Sequence, residues 1–251
     1  MAVFRCLQIT DTHLVGDAAG RQRGVVTLES FRAVLHAALT ADIDAVLLTG
    51  DVAHDDAAGY HWVRDELGHC GRPVLCIPGN HDDAALLRAT LADEPFRHGG
   101  QHDFGAWRIV MLDSLWPGAV EGLLDDAELQ RLATALATAA DRHALVVLHH
   151  HPVPLGSGWL DPLGLGNADR FFDIIDRHAN VRGILWGHVH QAFEASRRNL
   201  HGELRLLATP STCVQFRAGA AHFELDTLPP GYRLLELHDD GRIGTQVGWV
   251  P

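Results

Sequence analysis

The sequence predicts an α/β fold with at least partly parallel sheets. Three observations lead there. Apolar runs of strand length alternate with stretches at helical spacing along most of the chain. The last quarter switches to short strand-like runs broken by turn residues. A hydrophobic content of 47% over 251 residues supplies a sizeable core.

The strands expected are Val3–Thr10, Ala45–Thr49, Pro73–Ile77, Trp107–Leu112, Ala144–Leu148 and Val181–Trp186. Between them, Leu28–Leu39 puts Leu28, Phe31, Val34, Leu35 and Leu39 on one helical face. Gly59–Leu67, Ala84–Leu91, Asp126–Ala139 and Ala168–His178 read the same way. Asp125 with Glu128 resembles a capping box, with Asp in the Ser/Thr role. In the tail, Glu203–Ala208, Phe223–Leu225, Arg233–His238 and Ile243–Val250 read as strands, with Asp239-Asp240-Gly241 as a turn. With no low-complexity linker, residues 1–251 are expected to form one domain, 200–251 extending a second sheet in antiparallel fashion.

Net charge is -12, with no Lys/Arg-rich run. Such a chain repels nucleic acid, so nucleic-acid binding is not expected. The four cysteines form no CxxC pair, which suits a reducing compartment. No signal peptide is legible, and no apolar run approaches the ~20 residues that span a bilayer. The expectation is a soluble cytoplasmic protein without membrane contact.

The chemistry lies just past the strand ends. Asp11-Thr12-His13 comes after the first strand and Gly50-Asp51 after the second. Gly79-Asn80-His81-Asp82 comes after the third, His149-His150-His151-Pro152 after the fifth, and Gly187-His188-Val189-His190 after the sixth. Singly each is weak: Asp11 suits an Asx turn, and Asn80 a helix cap. Together they place Asp, His and Asn outside the carboxyl ends of five strands, where open α/β sheets gather ligands. Carboxylate, amide oxygen and imidazole suit borderline-to-hard divalent metals, and the absence of Cys argues against closed structural zinc. An Asp shared by two cations holds them about 3.5–4 Å apart.

In this order the five blocks resemble the calcineurin-like metallophosphoesterase family, from Asp11 to His190. The resemblance implies a four-layer αββα sandwich with two mixed sheets. It implies that Asp11, His13 and His190 bind one metal, that Asp51 bridges, and that Asn80, His150 and His188 bind the second. His81 stays off the metals and lies near substrate phosphate as general acid or oxyanion donor; with Asp51 it forms the catalytic pair. The ions implied are Fe or Mn, with Zn or Co as further options. A bridging hydroxide attacks phosphorus in line with the leaving oxygen. Two Asp ligands, two divalent ions and a hydroxide leave the site near +1, matched to a singly charged diester.

The segments Leu206–Phe216, Leu225–Thr227, Pro230–Arg233, His149–His151 and Gly158–Asp161 look like the bacterial cyclic-AMP phosphodiesterase subgroup. That likeness implies hydrolysis of 3′,5′-cyclic AMP to 5′-AMP by a small-molecule enzyme, with a homodimer as an option. The alternative is a broader phosphodiesterase taking 2′,3′-cyclic nucleotides or glycerophosphodiesters.

Of the three adjacent histidines, alternation along an extended chain sets His149 and His151 on one side and His150 on the other. The family's His-x-Pro spacing before Pro152 selects His150 as the metal ligand. His151 is then expected near substrate and His149 to be structural. Asn80, His81, His13, His54 and His151 are the expected substrate contacts. Arg21 and Arg23 are further options for phosphate or ribose. Asp82 and Asp83 are expected to start the helix at Ala84, and Trp159 with Leu160 to wall a purine or anchor a loop.

Overall fold

The computed structural model of the chain describes residues 2–251. The first elements are β1 (Val3–Ile9), β2 (Arg21–Gln22), β3 (Val25–Val26) and α1 (Thr27–Ala38). Next come β4 (Ala45–Thr49), α2 (Tyr60–Leu67), β5 (Val74–Ile77), α3 (Ala84–Thr90), β6 (Phe96–His98) and β7 (Gly100–Phe104). Then come β8 (Trp107–Met111), α4 (Asp126–Ala137), β9 (His143–Val147), α5 (Ala168–Ile175) and β10 (Val181–Trp186). The last are β11 (Phe193–Asn199), β12 (Gly202–Ala208), β13 (Gly231–His238) and β14 (Ile243–Trp249).

Two six-stranded mixed sheets carry the fold. The first runs β14-β13-β1-β4-β5-β6 and the second β11-β12-β10-β9-β8-β7. Both have a parallel centre; the second is antiparallel at both edges, whereas the first is antiparallel only at its β14-β13-β1 side and ends on the parallel pair β5-β6. The central strands β4 and β5 are apolar along nearly their whole length because both faces are covered. In β4, Val46 and Leu48 face the helices while Leu47 faces the other sheet. Helices α1 to α3 cover the first sheet and α4 and α5 the second, with Leu47, Leu75, Met111, Val147 and Leu185 packed between the sheets. This is the expected four-layer αββα arrangement. The face of α1 buries Leu28, Phe31, Val34 and Leu35, as its spacing predicts.

The tail departs from expectation. Residues 200–251 do not extend one sheet: β12 lies parallel to β10 in the second, whereas β13 pairs antiparallel with β1 and carries β14 onto the first. Alternation explains the choice, since Leu235 and Leu237 of β13 point into the core between the sheets. Arg233, fully buried on β13, fastens the two sheets together. Its guanidinium donates to the Ala208 carbonyl at 2.7 Å and to Glu194 at 2.7 Å.

Local signals fare differently. Asp125 caps α4, accepting from the Glu128 amide at 2.7 Å. Glu128 does not complete the box: its carboxylate accepts from the Asp113 amide and from Arg131. Asp83 caps α3, but Asp82 turns inward to accept from the amides of Val52, Ala53 and Gly79. Burial pushes the Asp82 carboxyl up to about 6. No described helix is long and apolar enough to cross a membrane.

Candidate metal centre and its cleft

The carboxyl ends of β1, β4 and β5 in one sheet meet those of β9 and β10 in the other. Asp11, Asp51, His149 and His188 each stand two residues beyond their strand's last residue. The turns there are tight. Asp11, His13, Asp51, His188 and His190 all adopt left-handed backbone, with φ between 46° and 65°. That region costs a non-glycine residue of order 1–3 kcal/mol and persists where surrounding structure imposes it. Here the imposing contacts are backbone bonds from the Asp11 amide to the Gly50 carbonyl (3.0 Å) and from the His13 amide to the Asp51 carbonyl (2.9 Å). Close approach also dictates Gly79, where a Cβ would sit 2.7 Å from His149 Nε2.

Asp11, His13 and His190 come together as expected. His13 Nε2 lies 3.1 Å from His190 Nε2, and His190 Nε2 lies 3.4 Å from the Asp11 carboxylate. The rings are oriented from behind. His190 Nδ1 donates to the Val214 carbonyl at 2.7 Å, and His13 Nδ1 meets His54 Nδ1 at 3.0 Å. Asp51 stands beside this group, its Oδ2 3.8 Å from His13 Nε2, while its Oδ1 accepts from the His81 amide at 2.9 Å. Asn80 Oδ1 and His188 Nε2 are buried with no hydrogen-bond partner.

The histidine triplet differs from expectation. Strand β9 ends at Val147, so side-chain alternation does not extend through 149–151, and all three rings surround His188. His150 has both nitrogens engaged: Nδ1 with Ser114 Oγ at 2.8 Å and Nε2 with the Val120 carbonyl at 3.1 Å. His149 instead donates Nδ1 to the Thr49 carbonyl at 2.8 Å and leaves Nε2 facing Asp51 Oδ2 at 3.5 Å. A ring fixed through one nitrogen with the other free is how an imidazole is presented to a metal. The available donor is therefore on His149, not His150. Its signal in the sequence was distance past the strand rather than spacing to Pro152. His151 is buried, with both nitrogens unpartnered, and sits behind His188 against Gly164, outside the cleft in which a substrate contact was expected.

Charge in this pocket is mutually stabilised. Burial raises Asp11 and Asp51, but the surrounding imidazoles outweigh it and both carboxyls are held below the usual range. Burial lowers His149, but the Asp51 and Asp11 carboxylates hold it up at about 9. Burial pushes His13 down to about 3, and His188 well below its ordinary value. The neutral imidazoles of His13 and His188, the buried carboxylates and the orphaned Asn80 and His188 acceptors fit two divalent cations.

A cleft of about 340 Å³ opens over these groups, lined by His13, Asp51, Asn80, His81 and His188. His81 Nδ1 faces the Asp55 carboxylate at 3.3 Å. His54 lies beside it with ring centroids 4.4 Å apart, and Gln22 Nε2 approaches His54 Nδ1 at 3.0 Å. The cleft's apolar lining includes Trp159, Leu160 and Phe216. Arg23 reaches this cleft, whereas Arg21 donates to the Gly24 carbonyl on its own turn.

Residues 4–192 match the calcineurin-like phosphoesterase family. A 3′,5′-cyclic adenosine monophosphate phosphodiesterase, CpdA, of Pseudomonas aeruginosa is 42% identical over 97% of this chain and 89% of its own. The CpdA of Escherichia coli K12 is 40% identical over 98% and 90%. Among solved structures, a dimetal phosphatase from Danio rerio superposes with a TM-score of 0.68 at 14% identity, covering 99% of both chains. That likeness concerns the fold.

Proposed function

The chain belongs to the calcineurin-like phosphoesterase family and is a metal-dependent hydrolase, and we propose that it hydrolyses 3′,5′-cyclic AMP to 5′-AMP. The observation that carries the reading is Asp51: one of its carboxylate oxygens faces His13 on one side and His149 on the other, at 3.8 and 3.5 Å. Such an oxygen suits two cations at once. The activity for which relatives covering nearly the whole chain are named supports the choice of diester. On this reading residues 1–251 act as one domain in the cytoplasm, a reducing setting that four free cysteines suit.

Asp11, His13, His190 and Asp51 would hold one ion, and Asp51, Asn80, His149 and His188 the other. Fe or Mn are the first choices for this oxygen and nitrogen set, then Zn or Co. When bound, the pair supplies an acidified water and a positive field for phosphate. The chain supplies the rest. The apolar lining of the cleft thins the water around the diester, which strengthens every charge interaction within. Asn80, His13, His54 and His81 line the phosphate end. As water sheds a proton and bonds to phosphorus opposite O3′, the P–O3′ bond breaks and O3′ takes a proton from His81 Nε2, which the proton released by the water restores. Asp55 faces the other ring nitrogen of His81, where its carboxylate accepts from Nδ1–H, orients the ring and stabilises the doubly protonated form from which Nε2 gives its proton.

The test is turnover by chelator-stripped protein reloaded with Mn or Fe. Cyclic 3′,5′-AMP should be cleaved faster than 2′,3′-cyclic AMP, a glycerophosphodiester or a generic aryl diester. Preference for any of the latter would replace the reading with a broader phosphodiesterase.

A further inference from the structure

We infer that the aromatic wall of the cleft is a nucleobase subsite, with Phe223 as its stacking platform and Arg23 held against that ring. The inference rests on the proposed substrate for its place in catalysis and adds the part of the substrate recognised by protein alone. The wall is an aromatic corner. Trp159 meets Phe216 and Phe223 edge-on, with centroids 5.2 Å away in each case, and Phe216 and Phe223 meet edge-on at 5.4 Å. Phe216 has one face spent, because it stacks on His190 at 4.0 Å. Phe223 carries the Arg23 guanidinium on its ring, yet it is 42% exposed and still lines the cleft.

A large aromatic left this open on a rigid loop calls for a reason. The loop is not loose. Arg217 and Glu224 are bonded through their backbones at 2.9 Å, Asp226 donates to the Gln215 carbonyl at 2.9 Å, and Phe216 donates to the His190 carbonyl at 3.1 Å. Ser157 and Gly158 both donate to the Ala220 carbonyl, stitching the Trp159 loop to the same wall. The platform is thus built onto a metal-ligating turn and held at a set distance from it.

Arg23 packs against the platform. Its guanidinium lies 4.6 Å over the Phe223 ring and has no carboxylate or other hydrogen-bond partner among the described residues. At 4.6 Å the guanidinium touches the ring and leaves no gap between them, so a purine stacks on the exposed remainder of Phe223 with the cation at its edge. Pyrimidines offer a smaller face, and compact diesters none.

The test uses metal-loaded protein and calorimetric binding of 5′-AMP and of ribose 5-phosphate, which share the phosphate and differ in the base. Wild type should bind 5′-AMP about tenfold or more tightly than ribose 5-phosphate. Phe223→Ala should shrink that preference to about twofold or less, leave ribose 5-phosphate binding unchanged and raise the KM for cyclic AMP with kcat nearly constant. Phe223→Trp should keep the preference. Equal affinity of wild type for both ligands, or a preference that survives Phe223→Ala, overturns the subsite. Failure of cyclic AMP turnover with the binding preference intact overturns the proposed reaction and not the subsite.

Discussion

His149 Nε2 points at Asp51 Oδ2 from 3.5 Å, too long for a good hydrogen bond and open enough to admit a cation between them. The neighbouring His150 is closed on both nitrogens by Ser114 and the Val120 carbonyl. The two histidines should therefore separate cleanly on substitution. His149→Ala should lose about one metal ion per chain and reduce turnover more than about 100-fold, beyond what an outer contact costs. His150→Ala should keep its metal and instead lose about 1–3 kcal/mol of stability, from the stranded Val120 and Ser114 groups. Metal analysis alongside thermal unfolding decides it. Loss of metal from His150→Ala with retention in His149→Ala would reverse the assignment.

His81 presents a different signature. Its amide, not its ring, binds Asp51, and its ring is half-buried at the cleft with Asp55 behind it. His81→Ala should lower kcat by about 10²–10⁴, the range of a positioned proton donor, with metal content unchanged. Loss of both ions on this substitution would place the ring on the metals instead.

Metal removal should also be visible in stability. Five left-handed residues and several orphaned buried acceptors converge at one sheet edge, an arrangement that favours the bound form over the unfolded chain. Adding Mn at about 100 times its dissociation constant should raise stability by roughly 2.7 kcal/mol. An unfolding midpoint that does not move with added divalent ion would dismiss a site in this place.

Much of the fold and its site was legible because it is local. Strands covered on both faces are mostly apolar, so β1, β4, β5, β8, β9 and β10 stand out. Residues released at their ends carry the chemistry. Less legible were the edges. β7 and β11 alternate between exposed and half-buried positions and are polar enough to pass for loops. Phe223–Leu225, expected as a strand, makes only an isolated bridge between Leu225 and Phe216. Sheet membership of β13 is settled by Leu235 and Leu237 meeting residues far away in sequence, which no window contains. The choice within His149–His151 failed for a similar reason. It turned on where β9 stops and on what Ser114 and Val120, remote in the chain, offer to His150.

The edge strand β11 offers the last test, through Asp176 and Arg197. Asp176 closes α5, where a carboxylate faces the negative end of the helix dipole. Arg197 of β11 answers with a two-pronged contact, Nη1 and Nη2 reaching the carboxylate oxygens at 2.5 and 2.7 Å, and lies 4.3 Å over the Phe172 ring. These hydrogen bonds hold the Asp176 carboxyl below its ordinary value. A depressed carboxyl pKa means the unfolded chain takes up the proton first, so the pair stabilises at neutral pH and loses its effect on acidification. Asp176→Asn should thus be less stable than wild type by about 0.5–1 kcal/mol at pH 7, a partly exposed pair being screened by solvent. The gap should close as pH falls below about 4, where the unfolded carboxyl becomes protonated. Urea unfolding of metal-stripped proteins isolates this effect, because acid would otherwise release metal from both. A gap that stays constant with pH would mean that Asp176 contributes shape and not charge.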